Sequence, residues 1–166
     1  MELTRVERWM LSNQLWILEA LYPNEAESLA QDRKALEEGY ALNYDWGIEH
    51  IYQDELSVDD CKEVFEILDM HWMMQNAYRE HGGIEGLKEK DLSFKGFDGN
   101  HETRFMSYVR YVIEDLKQYE SLNIDADGFN SHSPMLSRYL DMVSHWRECE
   151  DKHNLTPDDV LRILGR

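Results

Sequence analysis

Residues 57–83 read SVDDCKEVFEILDMHWMMQNAYREHGG, and their hydrophobic spacing decides the fold. Ser57 is placed to cap a long helix that Gly82-Gly83 ends. At 100° per residue Val58, Cys61, Val64, Phe65, Leu68 and Trp72 share one face, while Ile67, Met70, Met74 and Tyr78 widen the apolar arc past half the circumference. A helix apolar over that much of its surface belongs in the middle of a bundle. His71 falls inside the arc beside Trp72, Met73 and Met74 and reads as a hydrogen-bonded core histidine. The spacing therefore predicts an all-α, single-domain helical bundle of about six to seven helices over residues 1–166, built around a long central helix.

Upstream, Thr4 and Glu7 form a capping-box pattern for a helix that Pro23 stops. Val6, Trp9, Met10, Trp16, Ile17 and Ala20 share one face of it, and Val6, Trp9, Met10 and Ile17 are expected to enter the core. Leu11, Leu15, Leu18 and Tyr22 form a second ridge, which is then left for another element or another subunit. Asn24 with Glu27 starts a second helix over 25–38, ended by Gly39, and a short helix is expected from about Asp45 within 40–53. Residues 82–100 contain five glycines and form the longest irregular region, with Leu92-Ser93-Phe94 locally extended. Beyond it Phe105, Val109, Val112, Leu116 and Tyr119 define an amphipathic helix capped by Asp98 or Asn100. Ser133-Pro134 and Thr156-Pro157 each start a further helix, the first presenting Met135, Tyr139, Met142, Val143 and Trp146 to the core.

The 166 residues carry 34 acids against 17 bases, a formal charge of −17, and residues 1–60 hold 14 acids and 4 bases. Such a surface repels phosphate backbones and anionic lipid, which argues against nucleic-acid and membrane partners and leaves room for a basic protein partner. Two cysteines and the absence of a signal-like start point to a reduced, cytoplasmic protein.

Two constellations imitate known chemistry. Residues 123–128 match the first half of a calcium-binding EF-hand loop, but Pro134 stands where a bidentate carboxylate is required, so no calcium site is expected. Asp141, His145 and Cys149 recur at helical spacing, with His153 beyond. Glu148, Glu150, Asp151 and the helix end all disfavour a thiolate at Cys149, so neither a nucleophile nor a metal site is expected. No cofactor is implied. A polar set remains around the loop before the fourth main helix: Asp98, Glu102, Arg104 and Asn130 could converge on a ligand, or Arg104 could tie the loops together structurally. Arg110 and Glu114 read as an ordinary i, i+4 pair.

Gly96-Phe97-Asp98 and Gly128-Phe129-Asn130 place two Gly-Phe pairs beside polar capping residues. Together with Leu11-Ser12-Asn13-Gln14, Gly39-Tyr40, Tyr108-Val109-Arg110 and Pro134-Met135, they make the chain resemble the YfbU family. That resemblance implies an all-helical cytosolic bacterial protein that oligomerises, and it implies no catalytic residues. The reading is a non-enzymatic, self-associating protein acting through protein–protein contacts, with Leu11, Leu15, Leu18 and Tyr22 as the oligomer interface. The alternative is an enzyme or small-ligand binder using Asp98, Glu102, Arg104 and Asn130.

Overall fold

The computed structural model describes residues 1–48 and 51–166, which form two compact units, Met1–Glu55 and Leu56–Arg166. Among the described residues the regular structure is helical: α1 (Arg5–Leu21), α2 (Ala26–Glu38), α3 (Val58–Glu80), α4 (Thr103–Arg110), α5 (Leu136–Arg147) and α6 (Pro157–Ile163), with short 3-10 turns and no strand beyond isolated bridges. None of these helices is long and apolar enough to cross a membrane.

The first unit is a helical hairpin. Thr4 caps α1 in a complete capping box with Glu7, and Gly39 ends α2 at φ +79°. Arg33 bridges Glu19 at 2.6 Å and Glu37 at 2.9 Å, while Arg8 donates to the Leu36 carbonyl and Ser12 to Glu37. The α2 start differs from expectation, since Glu25 is the N-cap residue and supplies no side-chain cap. The short helix expected near Asp45 is replaced by 3-10 turns at Ala41–Asn43 and Trp46–Ile48; its continuation through 49 and 50 lies outside the described residues.

The two faces of α1 are reversed relative to the sequence expectation. Leu11, Leu15 and Leu18 line a cavity of about 300 Å³ together with Leu29, Ala35 and Leu36 of α2. Val6, Trp9, Met10, Trp16 and Ile17 are more than half exposed instead of entering a core. The ridge placed at an oligomer interface thus packs within the hairpin at Leu11 and Leu15, while Leu18 and Tyr22 towards its end stay exposed, at 36% and 53%. The reason is partner geometry: α2 offers only a narrow apolar strip, and branched leucines interdigitate there better than two tryptophans.

In the second unit α3 is the centre, as its wide apolar arc required. Val64, Ile67, Leu68, Met70 and Met74 are buried in one cluster with Phe94, Phe97, Val109, Tyr139, Val143 and Val160. Val58, expected on the same face, is 70% exposed in the first turn. His71 is buried; its Nδ1 lies 3.0 Å from the Leu92 carbonyl, and its ring meets Tyr139 edge-on with centroids 5.2 Å apart. Burial pushes its pKa down to about 4, so the ring is neutral at physiological pH. One turn further, the fully buried Gln75 donates to the carbonyls of Leu92 and Asn123, both at 3.1 Å, and accepts from the Asn123 amide at 2.7 Å.

The fourth helix is shorter than its pattern. It passes into a π turn over Tyr111–Asp115, and Lys117 and Tyr119 then adopt left-handed conformations. Tyr119 consequently leaves the helical row and reaches α3, where its hydroxyl donates to Asp69 at 2.5 Å, while Leu116 is left 43% exposed. The α6 start agrees with expectation, with Thr156 and Asp159 in a capping box and Pro157 in the first turn.

Two substitutions test these assignments. Gln75→Leu is expected to cost about 3 kcal/mol in urea unfolding, because the backbone groups of Leu92 and Asn123 lose their partner inside the core. Leu15→Glu is expected to destabilise the hairpin by roughly 1–3 kcal/mol, since it places a charge against α2; an unchanged melting profile would return this ridge to the surface.

Candidate functional site

The polar set expected around the two Gly-Phe loops is assembled by backbone pairing. Phe94 donates to the Asn123 carbonyl at 3.0 Å and Asp125 donates back to Phe94 at 2.9 Å. Further along, Phe97 donates to Phe129 at 2.9 Å and Ser131 to Phe97 at 3.1 Å, so the segments run parallel side by side. Their closeness explains Gly96, at φ +77°: a Cβ there would stand 2.0 Å from the Phe129 carbonyl oxygen. Phe129 itself sits at φ +65°, a left-handed conformation costing a side-chain-bearing residue about 1–2 kcal/mol. The ring is buried in return.

Three of the four candidate residues meet at this junction. Asn130 Oδ1 accepts from the amides of Gly99 at 3.0 Å and His132 at 2.9 Å, stitching one loop to the other. The buried Glu102 carboxylate accepts from Asp98 N at 2.9 Å, from Leu136 N at 2.8 Å, and from Met135 N through both oxygens. It thereby caps α5 from 33 residues away, and the local Ser133-Pro134 cap is not used. Glu102 is also the N-cap position of α4, in place of either Asp98 or Asn100. The carboxylate is thus satisfied by backbone donors, one in its own loop and two at the start of α5.

Asp98 is buried beside the exposed His101, which contacts its carboxylate, and it also accepts from Asn100 N at 3.3 Å. The hydrogen bond from His101 holds the Asp98 carboxyl below the usual carboxylate range, against the opposing effect of burial. Arg104 lies half-buried on α4. An arginine that ties the 127–130 turn is Arg110, which donates to the Gly128 carbonyl at 2.9 Å; helical spacing alone had paired it with Glu114.

An open groove of about 480 Å³ runs beside the junction, lined by Lys95, Asp125, Asp127, Asn130 and His132 among others. Of the four candidates only Asn130 borders it. Asp125 and Asp127, from the EF-hand-like stretch, are exposed there, and Asn130 N donates to the Asp127 carbonyl at 3.0 Å in a tight turn. Among the described residues, no group of three or more His, Cys, Asp or Glu side chains is placed to hold a metal ion. The Asp141 row also disperses. Cys149 lies past the end of α5, buried, with Arg162 Nη2 at 3.2 Å from its sulfur, while Asp141 and His153 are exposed. Burial pushes the Cys149 thiol pKa up, and Arg162 offsets this only in part.

Gln75 and the long-range cap by Glu102 were not visible in the sequence. Each partner lies outside any local window, and only the polarity of Gln75 within an apolar arc marked it.

The fold and this junction define an all-helical protein in which a buried carboxylate and a buried amide organise two paired loops against a central helix. The chain belongs to the YfbU family: the YfbU domain matches residues 1–165. It is similar to UPF0304 protein MJECS11 of Methanocaldococcus jannaschii, with 36% identity over 169 residues, covering 98% of this chain and 99% of that protein.

The Asp98–His101 contact carries a pH dependence. A carboxyl whose folded pKa is depressed contributes stability that is complete above its unfolded value of about 3.9 and is lost as pH falls through the lower folded value. In unfolding measured between about pH 6 and about pH 2.5, Asp98→Asn is expected to flatten the acid limb relative to wild type. An identical acid limb would show that Asp98 gains nothing from His101.

Proposed function

We propose that this is a non-enzymatic, self-associating helical protein that acts through protein–protein contacts in the cytoplasm. The observation that carries this reading is the outward face of α1, where Val6, Trp9 and Ile17 are 62%, 66% and 61% exposed. Large contiguous apolar faces on folded chains mark association surfaces, and tryptophan is among the residues enriched at their energetic centres. The polar junction supports the same reading, since Glu102 and Asn130 direct their acceptors at main-chain amides.

A second reading, binding of a small ligand near Asn130, draws on the open groove beside Lys95 and His132. Sedimentation at roughly tens of micromolar, where interfaces of ordinary size are occupied, tests the first. Species above the 19.8 kDa monomer are expected. A strictly monomeric protein overturns the reading, and a ligand that co-purifies and is lost on Asn130→Ala, with folding retained, favours the groove.

A further inference from the structure

We propose that the exposed face of α1 is the contact between two copies of this chain, with the two α1 helices antiparallel about a two-fold axis close to Asn13. This rests on the self-association reading above and specifies the surface and its symmetry. At 100° per residue Val6, Trp9, Met10, Asn13, Ile17 and Leu21 fall within an arc of about 120° and repeat at spacings of three and four, the pattern of a helix seam. All are exposed, and none is charged.

The area is right for a dimer. A large aromatic side chain presents up to about 250 Å², so the stripe offers roughly 700 Å² per copy, close to the ~800 Å² per partner of a standard interface. The seventeen residues of α1 span about 26 Å, enough for one helix to lie along another.

Charge selects the partner. Of the four bases in residues 1–60, Arg5 and Arg8 line a groove of about 420 Å³ along the edge of this stripe, together with Trp9, Asn13 and Trp16. A face edged by the few local cations suits an acidic partner and disfavours a basic one, and the chain itself carries −17. Antiparallel pairing keeps the Arg5 and Arg8 ends of the two helices apart. Parallel pairing sets like ends together.

Asn13 selects the symmetry. It is an exposed amide in the middle of an apolar stripe, and covering it by an apolar surface would leave its donors and acceptor unpaired. On a two-fold axis it meets its own copy, and two amides satisfy each other, which also sets the register. A single self-complementary patch closes with two copies.

Crosslinking in the Cys61→Ser chain tests this, with that chain as control and sedimentation run in parallel. Asn13→Cys is expected to give a covalent dimer as the main product with a short bis-maleimide. Val6→Cys should give little, because its two copies would lie about 21 Å apart along the helices. Ile17→Glu, folded by circular dichroism, should raise the dissociation constant at least tenfold. Comparable crosslinking at Val6 would mean parallel helices and overturns the proposal. A dimer that neither cysteine links places the interface elsewhere, so this inference fails while self-association stands. A wild type that sediments as monomer removes both.

Discussion

The second unit depends on one buried amide. Gln75 has no solvent to turn to, and its carbonyl and amino groups meet the backbone at Leu92 and Asn123 with three hydrogen bonds. Those residues open the two segments whose later portions carry Phe94, Phe97, Phe129 and Asn130. Without an acceptor and donors on α3, the peptide groups entering the core at these points would be buried and unpaired, at a cost of about 1–3 kcal/mol each. His71, one turn earlier, lies against the same Leu92 carbonyl. The central helix is therefore more than an apolar spine, because its two polar residues determine where irregular chain can be buried.

The paired loops then position everything downstream. Gly96 permits the close approach to Phe129, Asn130 locks the neighbouring amides, and the junction holds Glu102 where its carboxylate takes the Asp98 amide and the first amides of α5. In a set of residues that in isolation resembles a ligand site, the Glu102 carboxylate and the Asn130 Oδ1 accept from main-chain amides. Buried carboxylates near helix starts often invite catalytic readings, and the partners decide between them. Here those partners are N–H groups of Asp98, Met135 and Leu136.

Much of the helical framework was legible in local pattern. Thr4, Ser57 and Thr156 announce helix starts through capping chemistry that operates within four residues, and Gly39 announces an end through its left-handed backbone. The bias of α3 toward burial was equally plain. What could not be read was set by distant geometry. The two apolar faces of α1 are comparable in hydrophobicity, and only the shape of α2 decides that Leu11 and Leu15 turn inward. The end of α4 was hidden for a related reason. Tyr119 continues a helical apolar row, yet its bond to Asp69 is reached from a left-handed turn. At the candidate site Asp98, Glu102 and Asn130 do come together, but Glu102 and Asn130 serve the backbone, and Arg110 donates to the Gly128 carbonyl, a contact that helical spacing does not indicate.

The cap on α5 also bears on motion. The opening turn of a helix ordinarily frays on its own, because its first amides lack intrahelical acceptors. In α5 the amides of Met135 and Leu136 are held by a carboxylate on another helix, so they cannot open unless the 98–102 loop moves as well. Hydrogen exchange at this helix end then reports the opening of a loop more than thirty residues earlier in the chain. Fraying, usually a local and independent event, becomes here a shared motion of two segments joined by one side chain.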